Sequence, residues 1–416
     1  CIMMRRATAC FYAYTTCSYS NIVSRARLLT TMEASALRML LLPSKGGGGQ
    51  QQVQPPASQQ RTSPPRRLGL AVRETFDRLL RNSDDIFLLD GGTGEELFRQ
   101  GMPDDRKIWS AAAVVDPQYH SILTSVHQSF LAAGSQAITT NSYGIVPGVG
   151  FSEEEIATYV AEAGRLARES VSSSCSQQEE HPTTTTESTT TTALVFGSLG
   201  PLQESYRPDL ILPHEEGVRI YSIMARALQP NVDCFLAETM SSYEESIQAV
   251  EAVGTTCSFA EAGAAENKPM MLVSYTLNSK GALRSGELAK DAIQKLLAFA
   301  KQHNTLIVGV LFNCSEPEAI SITLKQLHDD GDTSFHWEDG ILLGAYANRL
   351  TPIADDDWTM AESDGPQAMR HNLTPDKYCH QFVSKWVNEY NAQIIGGCCG
   401  IEPAHIKYLS EHFSKK

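Results

Sequence analysis

Eight short apolar segments recur along the chain and are separated by stretches that contain helix start signals. The segments are mostly continuously apolar rather than alternating, which is typical of strands buried on both faces of a parallel sheet. They are IFLLD from Ile86, QAITT from Gln136, ALVFG from Ala193, VDCFLAE from Val232, PMMLVSY from Pro269, LIVGVLF from Leu306, ILLGAYA from Ile341 and QIIGG from Gln393. The pattern predicts eight strand–helix units.

Helix start signals support this division of the chain. A serine followed three residues later by a glutamate, the spacing of a capping box, occurs at Ser152, Ser242 and Ser315. Thr374 followed by Pro375 is another start signal. Eight such units predict an α/β fold of the (β/α)₈ TIM-barrel type, with a doubly wound open sheet as the competing architecture.

The N-terminal segment differs from the rest of the chain in composition. From Cys1 to Arg73, ten Lys and Arg residues stand against one acidic residue, Glu33, so this part carries +9 and the remainder −23. A basic, Ser/Thr-rich and acid-poor stretch is typical of an organelle transit peptide, and the Gly-, Gln- and Pro-rich tract at 44–67 is typical of a flexible linker. We therefore expect residues 1–75 to form a disordered extension and residues 76–416 to form the barrel domain.

Two interpretations of the extension stay open. If it is a genuine transit peptide, we expect a mitochondrial or plastid protein. If the numbering instead begins upstream of the true start, the candidate initiators are Met3, Met4, Met32 and Met39, and we expect a cytoplasmic protein.

A second low-complexity piece interrupts the body of the chain. Residues 172–192 read SSSCSQQEEHPTTTTESTTTT, which is polar and unpatterned, and we expect a surface loop. The piece follows a predicted helix and precedes a predicted strand, so it should lie on the barrel face opposite the chemistry. Without it and the extension, 320 residues remain, which suits one large domain.

Charge and cysteine content limit the classes of partner and the cellular environment that we expect for this protein. The net charge of −14 is concentrated on an acidic body that would repel phosphate backbones, which argues against nucleic acid as a partner. No apolar run reaches the roughly 18 residues of a membrane span, so no membrane partner is expected. Ten cysteines are too sparse for a disulfide scaffold and favour a reducing compartment. The sequence leaves the oligomeric state open, a homo-oligomer included.

Three cysteines follow two of the predicted strands, at the end of the barrel where chemistry collects. Cys314 follows the sixth strand, and Cys398 and Cys399 follow the eighth. Each group lies just before a helix start, which favours thiolates, and three thiolates can hold Zn²⁺ with a fourth position open. A vicinal disulfide, a redox pair or packed thiols are the alternatives, and a closed structural site would need a fourth protein ligand.

A soft zinc site with an open position suits a sulfur substrate whose thiol binds as thiolate. Because such a thiolate is a nucleophile, we expect the reaction to be the transfer of an alkyl group to sulfur. Asp90 and Glu238 at other strand ends would suit an ammonium group, while the amides of Gly91 and Gly92 could meet a carboxylate. A capped turn is the alternative for Asp90, and an ordinary rim carboxylate for Glu238.

These residues together resemble the homocysteine S-methyltransferase family from about Ile86 to Phe413. The motifs, in the family's order, are LLDGGTGEEL, TTNSYG, GSLGP, ETMSSYEE, FNCSEPEAI and GGCCGIEPAHI. The resemblance implies a barrel in which Cys314, Cys398 and Cys399 hold catalytic zinc and Asp90 and Glu238 lie near the amino acid substrate. It also matches Thr140, Asn141 and Tyr143 to a segment that lines the pocket.

The resemblance bears on the methyl donor as well. Family members use S-methylmethionine, S-adenosylmethionine or betaine, and the large ones that use folate and cobalamin need modules for which this chain has no room. We therefore expect homocysteine to be methylated to methionine by S-methylmethionine, or by S-adenosylmethionine. Betaine as donor, selenocysteine as acceptor, and a non-enzymatic barrel with a structural or redox cysteine site are the alternatives.

Two features of the sequence bear on the pocket for the methyl donor, and the first departs from the family's pattern. Ala347 in AYANRL replaces a proline found in many relatives, while Asn348 keeps the polar group. An acidic stretch at 355–364 follows on the catalytic side. It could attract a cationic donor or be a solvated loop.

Overall fold

The computed structural model describes residues 70–105, 107–179, 192–257, 268–329, 340–351 and 368–414. Each predicted apolar segment overlaps one strand, which confirms the sequence pattern. The strands are β1 Phe87–Leu88, β2 Ala137–Thr139, β3 Leu194–Leu199, β4 Cys234–Met240, β5 Met270–Tyr275, β6 Leu306–Asn313, β7 Leu342–Tyr346 and β8 Ile394–Ile395.

Helices separate the strands within the described residues. The α-helices are α1 Leu70–Arg81, α2 Thr93–Arg99, α3 Ala112–Val115, α4 His120–Ala132, α5 Glu153–Glu179, α6 His214–Leu228, α7 Tyr243–Thr256, α8 Ala289–Gln302, α9 Pro317–Asp329, α10 Pro375–Tyr378, α11 Ser384–Tyr390 and α12 Pro403–Phe413. A π-helix, Cys379–Val383, joins α10 to α11. Short 3₁₀ turns lie at Trp109–Ala111, Pro117–Tyr119, Pro147–Val149 and Pro208–Leu210.

All eight strands are parallel and form one sheet in the order β1-β8-β7-β6-β5-β4-β3-β2. The sheet closes between β1 and β2 through Gln136. Its backbone N–H donates to the Leu88 carbonyl at 2.7 Å, and its side-chain oxygen accepts from the Leu88 N–H at 2.9 Å. The (β/α)₈ barrel is confirmed, and the open sheet is wrong.

Helix α1 closes the amino-terminal end of the barrel. Its Val72, Phe76 and Leu79 are buried in the same cluster as the inward-facing strand residues, and the Phe76 ring lies 6.2 Å from that of Phe87. Helix α1 thus begins at Leu70, before the boundary expected at residue 75, and the division of the chain into an extension and a barrel domain stays a prediction. Residues 1–69 lie outside the described part of the chain.

The structure corrects two local predictions. The hydroxyl of Ser315 donates to the Asn313 carbonyl and accepts from the Leu277 N–H, while Glu318 pairs with Arg370 at 2.8 Å, so no capping box forms there. Helix α5 continues to Glu179, so the first eight residues of the expected 172–192 loop are helical. The rest of that piece, except Thr192, and the acidic stretch at 355–364 lie outside the described residues.

The other start signals are confirmed. The Ser152 and Ser242 hydroxyls accept from the N–H three residues on, at 3.3 and 3.1 Å. Helix α10 begins at Pro375, directly after Thr374. Among the described helices, none is both long and apolar enough to cross a membrane.

Candidate active site

A cavity of about 270 Å³ opens at the carboxyl ends of the strands. All nine site residues predicted from the sequence line it. They are Asp90, Gly91, Gly92, Thr140, Asn141, Glu238, Cys314, Cys398 and Cys399. The fold thus brings them together, as expected for the catalytic end of a barrel, while their roles toward a substrate stay predictions.

Three thiols form one wall of this cavity. The Sγ atom of Cys399 lies 3.6 Å from that of Cys314 and 4.0 Å from that of Cys398. All three Sγ atoms lie within 4.8 Å of one another. Three thiol sulfurs at this spacing can converge on one borderline-soft cation such as zinc.

The ionisation of the thiols also fits a metal. Hydrogen bonds from Cys398 and Cys399 hold the pKa of Cys314 well below its usual range, in spite of burial. The interaction with the Cys314 thiolate raises the pKa of each of the other two. The three thiols therefore cannot all ionise readily unless a cation offsets their mutual repulsion.

Glu238 also lines the cavity and lies at an irregularity of β4. The register of β4 with β5 shifts between Ala237 and Met240, and Glu238, which lies between these two residues, lines the cavity. Its carboxylate accepts from the Ser198 hydroxyl and, at 3.3 Å, from the Tyr346 hydroxyl. Burial raises the pKa of Glu238 to about 7. A cationic group in the cavity would favour the ionised form.

Asp90 also helps to close the barrel. Its two carboxylate oxygens accept from the Thr139 N–H at 2.8 Å and from the Thr139 hydroxyl at 2.9 Å. These bonds join β1 to β2, where ladder pairing is sparse. Burial raises the pKa of Asp90 to about 6. Asp90 thus has a structural role in joining β1 to β2, which differs from the capped turn considered as an alternative, and it also lines the cavity.

Gly91 and Gly92 allow the β1 loop to pack against the cysteine loop. A Cβ atom on Gly91 would lie 2.3 Å from the Ile401 carbonyl oxygen, and one on Gly92 2.9 Å from that of Cys398. The Gly92 N–H already donates to the Ile401 carbonyl at 2.9 Å. In this structure the Gly92 amide is therefore engaged within the protein, and a contact of the Gly91 or Gly92 amide with a substrate carboxylate stays a prediction.

The segment from Thr140 to Tyr143 is held by several hydrogen bonds. The Thr140 hydroxyl oxygen accepts from the Ser198 N–H at 2.9 Å. The Asn141 amide donates to the Ser110 carbonyl at 2.7 Å, and the Tyr143 and Ser205 hydroxyls are 2.7 Å apart. These contacts fix the cavity wall, and the aromatic ring of Tyr143 lines it.

Four aromatic residues that line the cavity, Phe98, Trp109, Tyr206 and Tyr346, were not predicted from the sequence, and two of them have an unusual backbone. The Tyr206 hydroxyl donates to Cys314 Sγ at 3.0 Å, and Trp109 also lines the cavity. Both residues have a left-handed backbone, with φ of 67° and 50°. Tyr206 and Trp109 lie in two long connections on the catalytic face, and this position was the only sign of a functional role in the sequence. A left-handed backbone at an aromatic residue leaves no sequence pattern.

The replacement of proline by Ala347 has a structural counterpart. The Ala347 N–H donates to the Tyr378 hydroxyl at 3.2 Å, which in turn donates to the Gly396 carbonyl at 2.8 Å. A proline has no N–H to donate. The alanine therefore connects β7 to the segment that leads into Cys398.

Several known proteins are similar to this chain over most of its length. The homocysteine S-methyltransferase of Escherichia coli (strain K12) is 25% identical over 346 residues, which are 80% of this chain and 96% of that protein. Betaine–homocysteine S-methyltransferase 1 of Bos taurus is 25% identical over 80% of this chain and 73% of its own length. The solved metallated form of the homocysteine methyltransferase MmuM from Escherichia coli shares the fold. Its TM-score is 0.58 and its identity 23%, with 82% of this chain and 99% of that chain covered.

Residues 87–413 match the model of the homocysteine S-methyltransferase family, which spans the barrel from β1 to the end of α12. The matched range includes the three thiols and both buried carboxyl groups of the cavity. The chain therefore belongs to the homocysteine S-methyltransferase family and is a methyltransferase.

Proposed function

We propose that this enzyme transfers a methyl group from S-methylmethionine to homocysteine, with Zn²⁺ held by Cys314, Cys398 and Cys399. The observation that carries the proposal is the three-thiol cluster on the wall of a cavity that also contains Glu238 and Asp90. A structural zinc site is closed by protein ligands, whereas these thiols line an open cavity.

The donor set supports zinc in particular. Thiolates select soft and borderline cations, and a three-thiolate site leaves a position for an exchangeable ligand. When bound, zinc favours the thiolate form of the acceptor near neutral pH. The metallated form of the Escherichia coli homocysteine methyltransferase supports a metal in this family.

The residues of the chain bind and align the two substrates. The sulfur of homocysteine forms a bond to the methyl carbon while the donor's bond from sulfur to that carbon breaks. The thiol proton passes to solvent, and the donor leaves as neutral methionine. The ammonium group of homocysteine would pair with Glu238 and Asp90. Such positioning can contribute about 7–11 kcal/mol to lowering a bimolecular barrier.

The cavity lining favours an onium donor. Phe98, Trp109, Tyr143 and Tyr206 line the cavity, and aromatic faces attract cations. S-methylmethionine and S-adenosylmethionine both carry a sulfonium centre, and the assay below distinguishes them. Betaine is the second candidate, because it shares the cationic methyl group and because relatives named betaine–homocysteine S-methyltransferase match this chain.

The test is methionine formation by the purified, reduced full chain. Homocysteine is supplied with S-methylmethionine, S-adenosylmethionine or betaine in separate reactions, and selenocysteine replaces homocysteine in a fourth. We expect the highest kcat/KM with S-methylmethionine. Turnover with betaine alone would reassign the donor, and turnover with selenocysteine alone would reassign the acceptor. Bound zinc without turnover on any pair would indicate a structural or redox site.

A further inference from the structure

A second cluster of metal-ligating side chains lies in the helical layer, where α12 packs against the π-helix. Cys379 and His380 are the first two residues of the π-helix, and His412 belongs to α12. One ligand atom from each of the three residues lies within 4.8 Å of the other two. None of the three lines the cavity described above.

The π-helix explains how two adjacent residues can face one point. In an α-helix, neighbouring side chains diverge by about 100° around the axis. A π-turn holds more residues, so its neighbouring side chains diverge less, and such turns are rare and frequent at functional sites. Here the wide turn directs Cys379 and His380 toward the same side of α12.

Hydroxyl groups surround the cluster as an outer shell. His380 Nε2 lies 3.0 Å from the Tyr408 hydroxyl oxygen, and His412 Nε2 lies 3.4 Å from the Ser384 hydroxyl oxygen. The same Ser384 oxygen is 3.6 Å from Cys379 Sγ. Hydrogen bonds of this kind orient histidine rings that bind metals.

The ring arrangement and the exposure agree with a site that solvent can reach. The His380 and His412 rings meet edge to face, with centroids 5.1 Å apart at 84°. Cys379 is fully buried, whereas His380 is exposed. An ion could thus enter from the His380 side and reach the buried sulfur.

We infer that Cys379, His380 and His412 form a second Zn²⁺ site that ties the C-terminal helix α12 to the π-helix. One sulfur and two imidazole nitrogens are a ligand set that zinc accepts, with water from the exposed side as the fourth ligand. Binding deprotonates the Cys379 thiol and releases that proton to solvent.

The test removes the cavity thiols first. The full-length Cys314→Ser/Cys398→Ser/Cys399→Ser variant is reduced, stripped with a chelator and titrated with Zn²⁺. We expect it to bind one zinc per chain and to show a higher thermal unfolding midpoint with zinc. Adding His380→Gln and His412→Gln should weaken binding at least tenfold. The matched control is His328→Gln, since His328 also packs on a tyrosine, Tyr390, with ring centroids 5.7 Å apart.

Cobalt supplies a second readout. With Co²⁺ in place of Zn²⁺, the variant that lacks the three cavity thiols should show a thiolate-to-metal charge-transfer band. Adding Cys379→Ser to that variant should remove the band. Three outcomes would overturn the proposed second zinc site. They are no metal bound to the variant without cavity thiols, binding only at millimolar zinc, and equal zinc affinity with and without both histidines. His380→Gln alone, at an exposed position, gives the affinity test if the double variant fails to fold.

The outcome does not depend on the proposed reaction. In the chain with intact cavity thiols, His380→Gln/His412→Gln should keep methyl transfer and lose one of two zinc ions. Loss of the second zinc with normal turnover supports both proposals. Absence of turnover in the parent chain would count against the proposed reaction only.

Discussion

Asn313 holds Thr239 with both ends of its side-chain amide. Its oxygen accepts from the Thr239 N–H at 2.9 Å, and its nitrogen donates to the Thr239 hydroxyl at 2.8 Å. Thr239 follows Glu238 and Asn313 precedes Cys314, so one buried amide links the carboxyl group to the first thiol. Thr239 and Cys314 both have a left-handed backbone, with φ of 62° and 47°, which disfavours residues other than glycine.

Replacing Asn313 by alanine should therefore affect stability and metal binding together. Two buried groups of Thr239 would lose their partner, at about 1–3 kcal/mol for each unsatisfied group. The shifted β6 end would misplace Cys314, and zinc affinity should fall about 10–100-fold. Urea unfolding of the stripped protein and a zinc competition titration measure the two effects.

Asn82→Ala is the control for this prediction. Asn82 is exposed and its side chain bonds only nearby residues, including Asp85 at 2.8 Å. We expect its unfolding free energy to stay within about 0.5 kcal/mol of the parent. Unchanged zinc affinity in Asn313→Ala would contradict a positioning role for Asn313.

Much of the fold could be predicted because buried parallel strands leave a continuous apolar signal. The strand ends then placed Cys314, Cys398 and Cys399 on one face without further information. Positions set by tertiary contacts could not be predicted in this way. Ser315 shows this, since its hydroxyl bonds two neighbouring segments instead of capping α9.

The start of α1 before the boundary expected at residue 75 has a different explanation. Val72, Phe76 and Leu79 follow the helical spacing, but the basic composition around them favoured an extension up to residue 75. Composition describes a window of residues, whereas burial is decided residue by residue. The hydrogen bond from Tyr206 to Cys314 had no sequence signal, because it depends on an unusual backbone angle.

Serine at Cys314 or Cys399 should remove the metal from the cavity and stop methyl transfer. A serine hydroxyl is a much weaker ligand for a soft cation than a thiolate, so kcat/KM should fall more than about 100-fold. Metal analysis should show the loss of one zinc per chain, and circular dichroism an intact barrel. Cys257→Ser is the control, because Cys257 lies at the end of α7 outside the cavity. Full turnover in a variant without cavity zinc would refute the mechanism.

The raised pKa of Glu238 predicts a pH dependence of stability. Burial raises this pKa from 4.5 to about 7, so between these values the folded protein binds more protons than the unfolded chain. The free energy of unfolding of the metal-free protein should therefore fall as pH rises through this window, by up to about 3 kcal/mol from this group. Glu238→Gln should remove this part of the fall.

Denaturant unfolding at several pH values between 4 and 8 checks the prediction. The exposed Glu389→Gln is the control and should keep the parent's pH dependence. If the unfolding free energies of Glu238→Gln and of the parent changed equally with pH, Glu238 would be ionised to the same extent in the folded and unfolded states. With homocysteine present, the cationic amino group should lower the pKa of Glu238 and shift the fall to lower pH.

Two truncations separate the extension from the barrel. Deletion of residues 1–67 leaves α1 complete, so we expect methyl transfer and the unfolding midpoint to be unchanged. Deletion of residues 1–81 removes Val72, Phe76 and Leu79, which are at most 2% exposed. Losing these buried side chains should cost about 1.5–3 kcal/mol each. The longer deletion should therefore unfold at much lower denaturant or be insoluble. Equal stability of the two proteins would show that α1 does not support the barrel, whereas an inactive but folded 1–67 deletion would assign the extension a role in catalysis.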